Sequence, residues 1–257
     1  MKRSLFAMVL IGFVSAAAFW LWQQGAPLSS ITRGSAGPPT VVLLHGYGSR
    51  AEDWLQFEDP PSPAGFGEAS HFQFPPGTRR VYPQAPWRGF GSHHGWWWLH
   101  LETYVKSGEA LPDLSTSSPG GLKAAAKQVR DLIKDARAPL IVGGFSQGAM
   151  VSGEIAFQTD QQLDGLILVA GTPVNEEAWA EHFAGRRQLP IFIAHGRSDP
   201  VLSFAIMERF QKRLKDFGLD VTWYPYDGGH EIPLTVVNEV NRFVDRVVGL
   251  QSTAGRD

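Results

Sequence analysis

The chain has 257 residues, a formal net charge of -2, an apolar fraction of 43% and no cysteine. That length and apolar share fit one α/β domain or at most two small ones, and near-neutral charge without a basic run argues against a nucleic-acid backbone as partner. Without cysteine there is no disulfide, no thiol nucleophile and no lipoprotein anchor, and the absence fits either side of a membrane.

Lys2 and Arg3 precede an uncharged apolar run from Leu5 to Trp22. The pattern predicts export, with residues 1–24 a signal peptide or an anchor and membrane association through residues 5–22. Ala16, Ala17 and Ala18 offer a cleavage site, whereas Phe19, Trp20 and Trp22 suit a membrane interface, so both fates stay open. Residues 25–38, rich in Gly, Ser and Pro, read as a linker, and 39–250 as the folded domain.

"TVVLLHG" at 40–46 is a β-branched apolar run ending in glycine, a buried strand by composition. Residues 50–79 read mostly as loop with one helical turn near Asp53–Phe57, and "RVYP" at 80–83 as a short strand cut by its proline. Residues 84–100 form a loop of large rings. Leu122, Ala126, Val129, Ile133 and Ala136 then recur at helical spacing until Pro139 stops them. Next come a strand at 140–145, a helix at 147–158 and strands at 163–171 and 189–196. A helix at 201–217, a strand at 220–226 and a helix at 233–248 complete the pattern. Solid apolar strands alternating with amphipathic helices specify an α/β fold, a mostly parallel sheet covered on both faces. Ligands in such sheets bind beyond the carboxyl ends of the strands, where His45, Ser146, Asp199 and His230 all fall.

"GGFSQG" places Ser146 between Gly144 and Gly148, matching G-x-S-x-G at a strand-to-helix turn. The turn aims the first amides of the following helix at a reacting carbonyl, which makes Gln147 N–H an oxyanion donor. Asp199 follows a strand in "HGRSDPVL", and His230 follows the next strand in "YDGGHEI". The order Ser, Asp, His is that of one class of hydrolase and differs from the two main serine-protease orders. In this reading His230 takes the proton of Ser146, and Asp199 orients the imidazole. Asp227 is the rival orienter; Asp199 is preferred because it comes from a separate loop after its own strand. The loop "HGYGS" supplies the second oxyanion donor, Tyr47 N–H, and His45 and Gly46 shape that loop.

From Pro39 to Val248 the chain resembles the phospholipase/carboxylesterase family of α/β-hydrolases, which includes acyl-protein thioesterases. The matching pieces are "LHGYGS", "YPQAP", "GGFSQGAM", "HGRSDPVL" and "YDGGHEI". The resemblance implies the α/β-hydrolase fold, hydrolysis of carboxylic esters and thioesters without a cofactor, Ser146, Asp199 and His230 as the triad, and Tyr47 and Gln147 at the oxyanion positions.

Two departures matter. Typical members lack an exported N-terminal segment, so export turns the expected substrate from a cytoplasmic acyl-protein toward an extracytoplasmic ester, aromatic or medium-chain. The family's "W-F/Y-D" stands here as "WWWLH", which alters the loop lining the acyl site. Trp87, Phe90 and Trp97 are the candidate substrate-binding rings of that loop, although Trp96–Trp98 serve equally as core. His71, His93, His94 and His100 have no metal-ligand spacing, so no metal is expected. The expected function is a serine carboxylesterase on a small-molecule or lipid ester, with no nucleic-acid partner and the oligomeric state left open. A peptidase or acyltransferase on the same scaffold, or a non-catalytic binding protein, are the alternatives.

Overall fold

A computed structural model describes residues 27–58, 71–88, 94–99 and 111–254. Its main sheet has seven strands in the order β1-β3-β2-β6-β7-β8-β9. They are β1 (Ser30–Arg33), β2 (Thr40–Leu44), β3 (Arg79–Pro83), β6 (Leu140–Phe145), β7 (Gly165–Val169), β8 (Ile191–Gly196) and β9 (Val221–Tyr226). Only β1 runs antiparallel, against β3; the other neighbours are parallel. Two short strands, β4 (Trp87–Arg88) and β5 (His94–Gly95), form a separate ladder within the aromatic loop. β1 corrects the domain boundaries, because the stretch read as a linker supplies the edge strand. A segment rich in Gly and Ser carries little strand signal of its own, and Ile31 gains its place by packing on the finished sheet.

Five α-helices among the described residues are α1 (Leu122–Ile133), α2 (Gln147–Gln158), α3 (Glu176–Ala180), α4 (Phe204–Asp216) and α5 (Leu234–Ala254). Alternation along β2 sets the two layers. Val42 and Leu44 face a core with Val129 of α1, Met150 of α2 and Phe210 of α4, while Val41 and Leu43 face Trp54, Tyr82 and Val240. Trp54 comes from a 3₁₀ turn, Ala51–Phe57, and Val240 from α5. Strands buried on both faces read as continuous apolar runs, which is why β2, β6, β7 and β8 were legible in the sequence.

α2 is buried along nearly its whole length, from Gln147 to Phe157, as befits a helix apolar on all sides. Its one buried acid, Glu154, accepts a hydrogen bond from Trp179 Nε1 at 2.7 Å, and burial pushes its pKa up. Trp179 reaches it across Gly153, where a Cβ would stand 2.5 Å from the ring. This tightly packed helix holds the end of β6 still.

Candidate active site

β6 ends at Phe145 and α2 begins at Gln147, so Ser146 alone makes the turn between them. Its backbone takes φ 55° and ψ -120°, a conformation that costs a non-glycine residue about 1–3 kcal/mol and persists only where the surroundings impose it. The flanking glycines are required sterically. A Cβ on Gly148 would lie 2.1 Å from Leu44 O, and one on Gly144 2.6 Å from the same oxygen. The turn is thus pressed against the end of β2 with no room for a methyl group on either side.

The carboxyl ends of the next strands bring up two partners. The Ser146 hydroxyl donates to His230 Nε2 at 2.9 Å, and His230 Nδ1–H donates to Asp199 Oδ2 at 2.7 Å. Asp199 sits in a turn after β8, where its Oδ1 accepts Val201 N at 2.8 Å and Leu202 N at 2.9 Å. Its side chain is fully buried. Burial opposes its charge, but hydrogen bonds from His195, His230 and the Leu202 amide outweigh that and hold the carboxyl well below the usual carboxylate range. Asp227, the rival, is 98% exposed in its side chain and faces Arg197 Nε at 3.6 Å. Asp199 is the hydrogen-bond partner of His230.

The His230 loop is held from two sides. Tyr226 Oη donates to Glu231 O at 2.7 Å. Gly196, at the end of β8, lets the loop approach so closely that a Cβ there would stand 2.2 Å from Gly229 O. Phe145 lies against the imidazole, with centroids 4.9 Å apart.

Gln147 occupies the first position of α2, whose N–H groups have no acceptor within the helix. Its side chain has a second task that the sequence did not disclose. Oε1 accepts Trp96 N at 2.8 Å and Nε2 donates to Trp97 O at 2.9 Å, so it fastens the aromatic loop to the turn. Tyr47 lies in the loop after β2, in a turn where Ser49 N donates to Gly46 O at 3.3 Å. Gly46 brings that loop against Ser146, since a Cβ there would be 3.3 Å from Ser146 Cβ. His45 shapes the loop from beneath: its Nε2 accepts Ala85 N at 3.1 Å, which assigns the ring proton to Nδ1 and to Gly46 O at 2.8 Å. Burial pushes its pKa down to about 4, so the ring is neutral.

The three candidate substrate-binding rings part company. Trp87 is half-buried and stacks on Tyr47, centroids 5.8 Å apart. Trp97 is instead only 3% exposed within the core over α1, against Gly121, which corrects its assignment as a pocket residue. A run of three tryptophans does not reveal which rings turn inward: Trp96 and Trp97 are buried, and Trp98 is exposed. Phe90 lies outside the described residues, as do His93 and His100.

A cleft of about 250 Å³ opens beside His230, lined by Gly46, Trp54, Phe57, Phe145, His230 and Ile232 among others. Trp54 and Phe57 come from the 3₁₀ turn, a segment with no motif to mark it, and Ile232 ends the "YDGGHEI" piece before α5. A larger hollow of about 630 Å³ lies at the opposite end of the sheet, around Asp164, Arg186 and Pro190, away from Ser146.

Comparison with known proteins identifies the family. The model of the phospholipase/carboxylesterase family matches residues 31–248. The chain belongs to that family. Acyl-protein thioesterase 1 of Yarrowia lipolytica is 25% identical over 215 residues, covering 79% of this chain and 88% of the relative. The protein of the same name from Cryptococcus neoformans var. neoformans is 27% identical over 187 residues, 69% of this chain and 71% of its own. Among solved structures, esterase PE8 superposes with a TM-score of 0.67 at 25% identity, covering 86% of this chain and all of the other. Zea mays acyl-protein thioesterase 2 gives 0.62 at 21% identity over 85% of this chain and 98% of its own, a likeness of fold. The family member described here is a hydrolase of the ester- and thioester-cleaving type with an α/β-hydrolase fold.

The comparisons also correct the expectation of export. The relatives that this family member matches over most of its length are acyl-protein thioesterases, and nothing in them points to an exported or membrane-anchored enzyme. Among the described residues no helix is long and apolar enough to cross a membrane, and the segment 5–22 lies outside them. An uncharged run behind two cations is a feature of composition and does not by itself report a destination.

Proposed function

We propose that this chain is a serine carboxylesterase that works through an acyl-enzyme on Ser146. The observation that carries the proposal is the hydrogen-bond chain from Ser146 Oγ through His230 to Asp199. Oγ attacks the carbonyl carbon of the substrate while its proton passes to His230 Nε2. Asp199 holds the Nδ1–H tautomer and stabilises the imidazolium that forms. The carbonyl oxygen, now carrying negative charge, is received by the N–H groups of Gln147 and Tyr47. Collapse expels the alcohol or thiol, which takes the proton from His230. Water then adds to the acyl carbon as it loses a proton to His230, and the acid leaves as His230 returns that proton to Ser146 Oγ. No cofactor is needed for either half.

The cleft beside His230, about 250 Å³, is smaller than the ~300–1,000 Å³ of drug-sized sites and suits a short or medium acyl group. Trp87, stacked on Tyr47, stands on the oxyanion side as a platform for an apolar or aryl group. A small-molecule or lipid ester is therefore the substrate class, and the naming of the relatives as acyl-protein thioesterases favours testing thioesters beside it.

The test is hydrolysis of a panel of p-nitrophenyl esters and acyl thioesters by wild type and Ser146→Ala, with circular dichroism on both. The alanine variant is expected to stay folded and to lose roughly 10⁵–10⁶ in kcat. A fluorophosphonate should lose fluoride as Ser146 Oγ bonds to its phosphorus, leaving one phosphonyl label that peptide mass maps to Ser146. A folded Ser146→Ala enzyme with wild-type turnover would refute the assignment. A folded wild type inert to the whole panel would favour a binding protein.

A further inference from the structure

His195 is a buried imidazole with no part in the steps above. It is the penultimate residue of β8, its side chain is wholly excluded from solvent, and Asp199 lies four residues on. Its Nε2 lies 3.0 Å from Leu202 O and 3.3 Å from Asp199 Oδ2. Both neighbours are acceptors, so Nε2 carries the proton and shares it between them. Nδ1 is left as a bare lone pair, buried without a partner.

The oxygen reached by His195 is the one that accepts His230 Nδ1–H. Asp199 Oδ2 therefore stands between two imidazoles, and Oδ1 between two backbone amides. The ring also bridges both ends of the turn, since the Leu202 carbonyl and the Asp199 carboxylate take the same proton. A fully buried side chain whose one donor is spent on the orienting carboxylate, and whose other nitrogen is left unsatisfied, is poorly explained by packing. A leucine would fill such a place without a stranded lone pair.

We infer that His195 is a positioning residue of the active site, which aims Asp199 Oδ2 at His230 and draws off part of its charge. The inference rests on the reading of Ser146, His230 and Asp199 given above. Without His195 the carboxylate keeps its two amide bonds but can swing Oδ2 about the Oδ1 anchor, and the imidazole of His230 loses a fixed orientation. The other groups facing Asp199 are His230 and, from β9, the phenol of Tyr226, whose pKa is raised by burial and by the Asp199 charge. Neither can replace the lost donor, because His230 is already spent on Oδ2 and Tyr226 Oη donates to Glu231 O.

The test compares His195→Leu, His195→Gln and His195→Asn in the full chain, each alone and on Asp199→Asn. Gln extends an amide toward the place of Nε2; Asn stops near Nδ1, on the side away from Asp199. His195→Leu and His195→Asn should lower kcat about 10–100-fold, the scale of one charge-assisted hydrogen bond, with KM within about twofold. His195→Gln should recover to within about fivefold of wild type. On Asp199→Asn none of the three should lower kcat by more than about threefold further, since the group through which His195 acts is already gone. Equal activity of the Gln and Asn variants, or a full further loss on Asp199→Asn, would overturn the inference, and this holds even if His195→Leu does not fold. Failure here with an inactive Ser146→Ala leaves the nucleophile assignment standing; an active Ser146→Ala removes both.

Discussion

Replacing Asp199 by Asn tests the orienting group through a change of one atom. The amide must choose which of its ends meets which pair of donors. Oδ1 receives two backbone amides, from Val201 and Leu202, and Oδ2 receives His230 Nδ1–H with His195 beside it. Turning the amide nitrogen toward the backbone would strand two buried N–H groups, each costing about 1–3 kcal/mol. The asparagine oxygen therefore stays with the backbone, and its NH₂ faces His230. His230 answers by moving its proton from Nδ1 to Nε2, so that the ring presents a hydrogen to Ser146 Oγ where it had presented a lone pair. A ring in that tautomer cannot take the serine proton. The expected fall in kcat is roughly 10⁴-fold, about 5.5 kcal/mol, less than for Ser146→Ala, with KM little changed. Steady-state hydrolysis of a p-nitrophenyl ester, with chemical denaturation to verify folding, measures it. Asp227→Asn, at a side chain in open solvent, should cost less than about threefold. A kcat for Asp199→Asn within tenfold of wild type, or a greater loss for Asp227→Asn, would refute the tautomer argument.

Gly148→Ala should abolish activity or folding, because its methyl group would stand 2.1 Å from Leu44 O; a soluble variant with wild-type kcat would mean that the turn can retreat from β2. His45 contributes to acid sensitivity: between pH about 6.5 and about 4 the unfolded chain holds a proton that the buried, neutral ring lacks, so stability falls as pH drops through that window, by ~3 kcal/mol in all. Urea unfolding at pH 7.5 and 4.5 should show His45→Gln losing correspondingly less than wild type between the two. Trp87→Ala should raise KM for long-chain or aryl esters more than for acetate, by about 1–3 kcal/mol of discrimination, and equal losses across the panel would assign the ring to scaffold.

The sequence by itself determined most strands of the sheet and named Ser146, Asp199 and His230 as candidates. β2, β6, β7 and β8 are solid apolar runs because both faces are covered, and α1, α2, α4 and α5 follow them at helical spacing. The glycines around Ser146 were legible for a local reason: a one-residue turn from strand to helix leaves no space for a Cβ. Asp199 and His230 could be chosen because each follows its own strand, and parallel strands deliver their carboxyl ends to one edge. Tertiary structure decided what depends on contacts between distant segments. It brought residues 30–33, read as linker, into the sheet, turned Trp97 into the core and left Trp87 half-buried, and gave Gln147 a side-chain role that no spacing encodes. His195 shows the limit most plainly. In the sequence it is one residue of a strand ending in "HG"; only the turn that folds Asp199 and Leu202 back over β8 gives its Nε2–H a carboxylate and a carbonyl to hold.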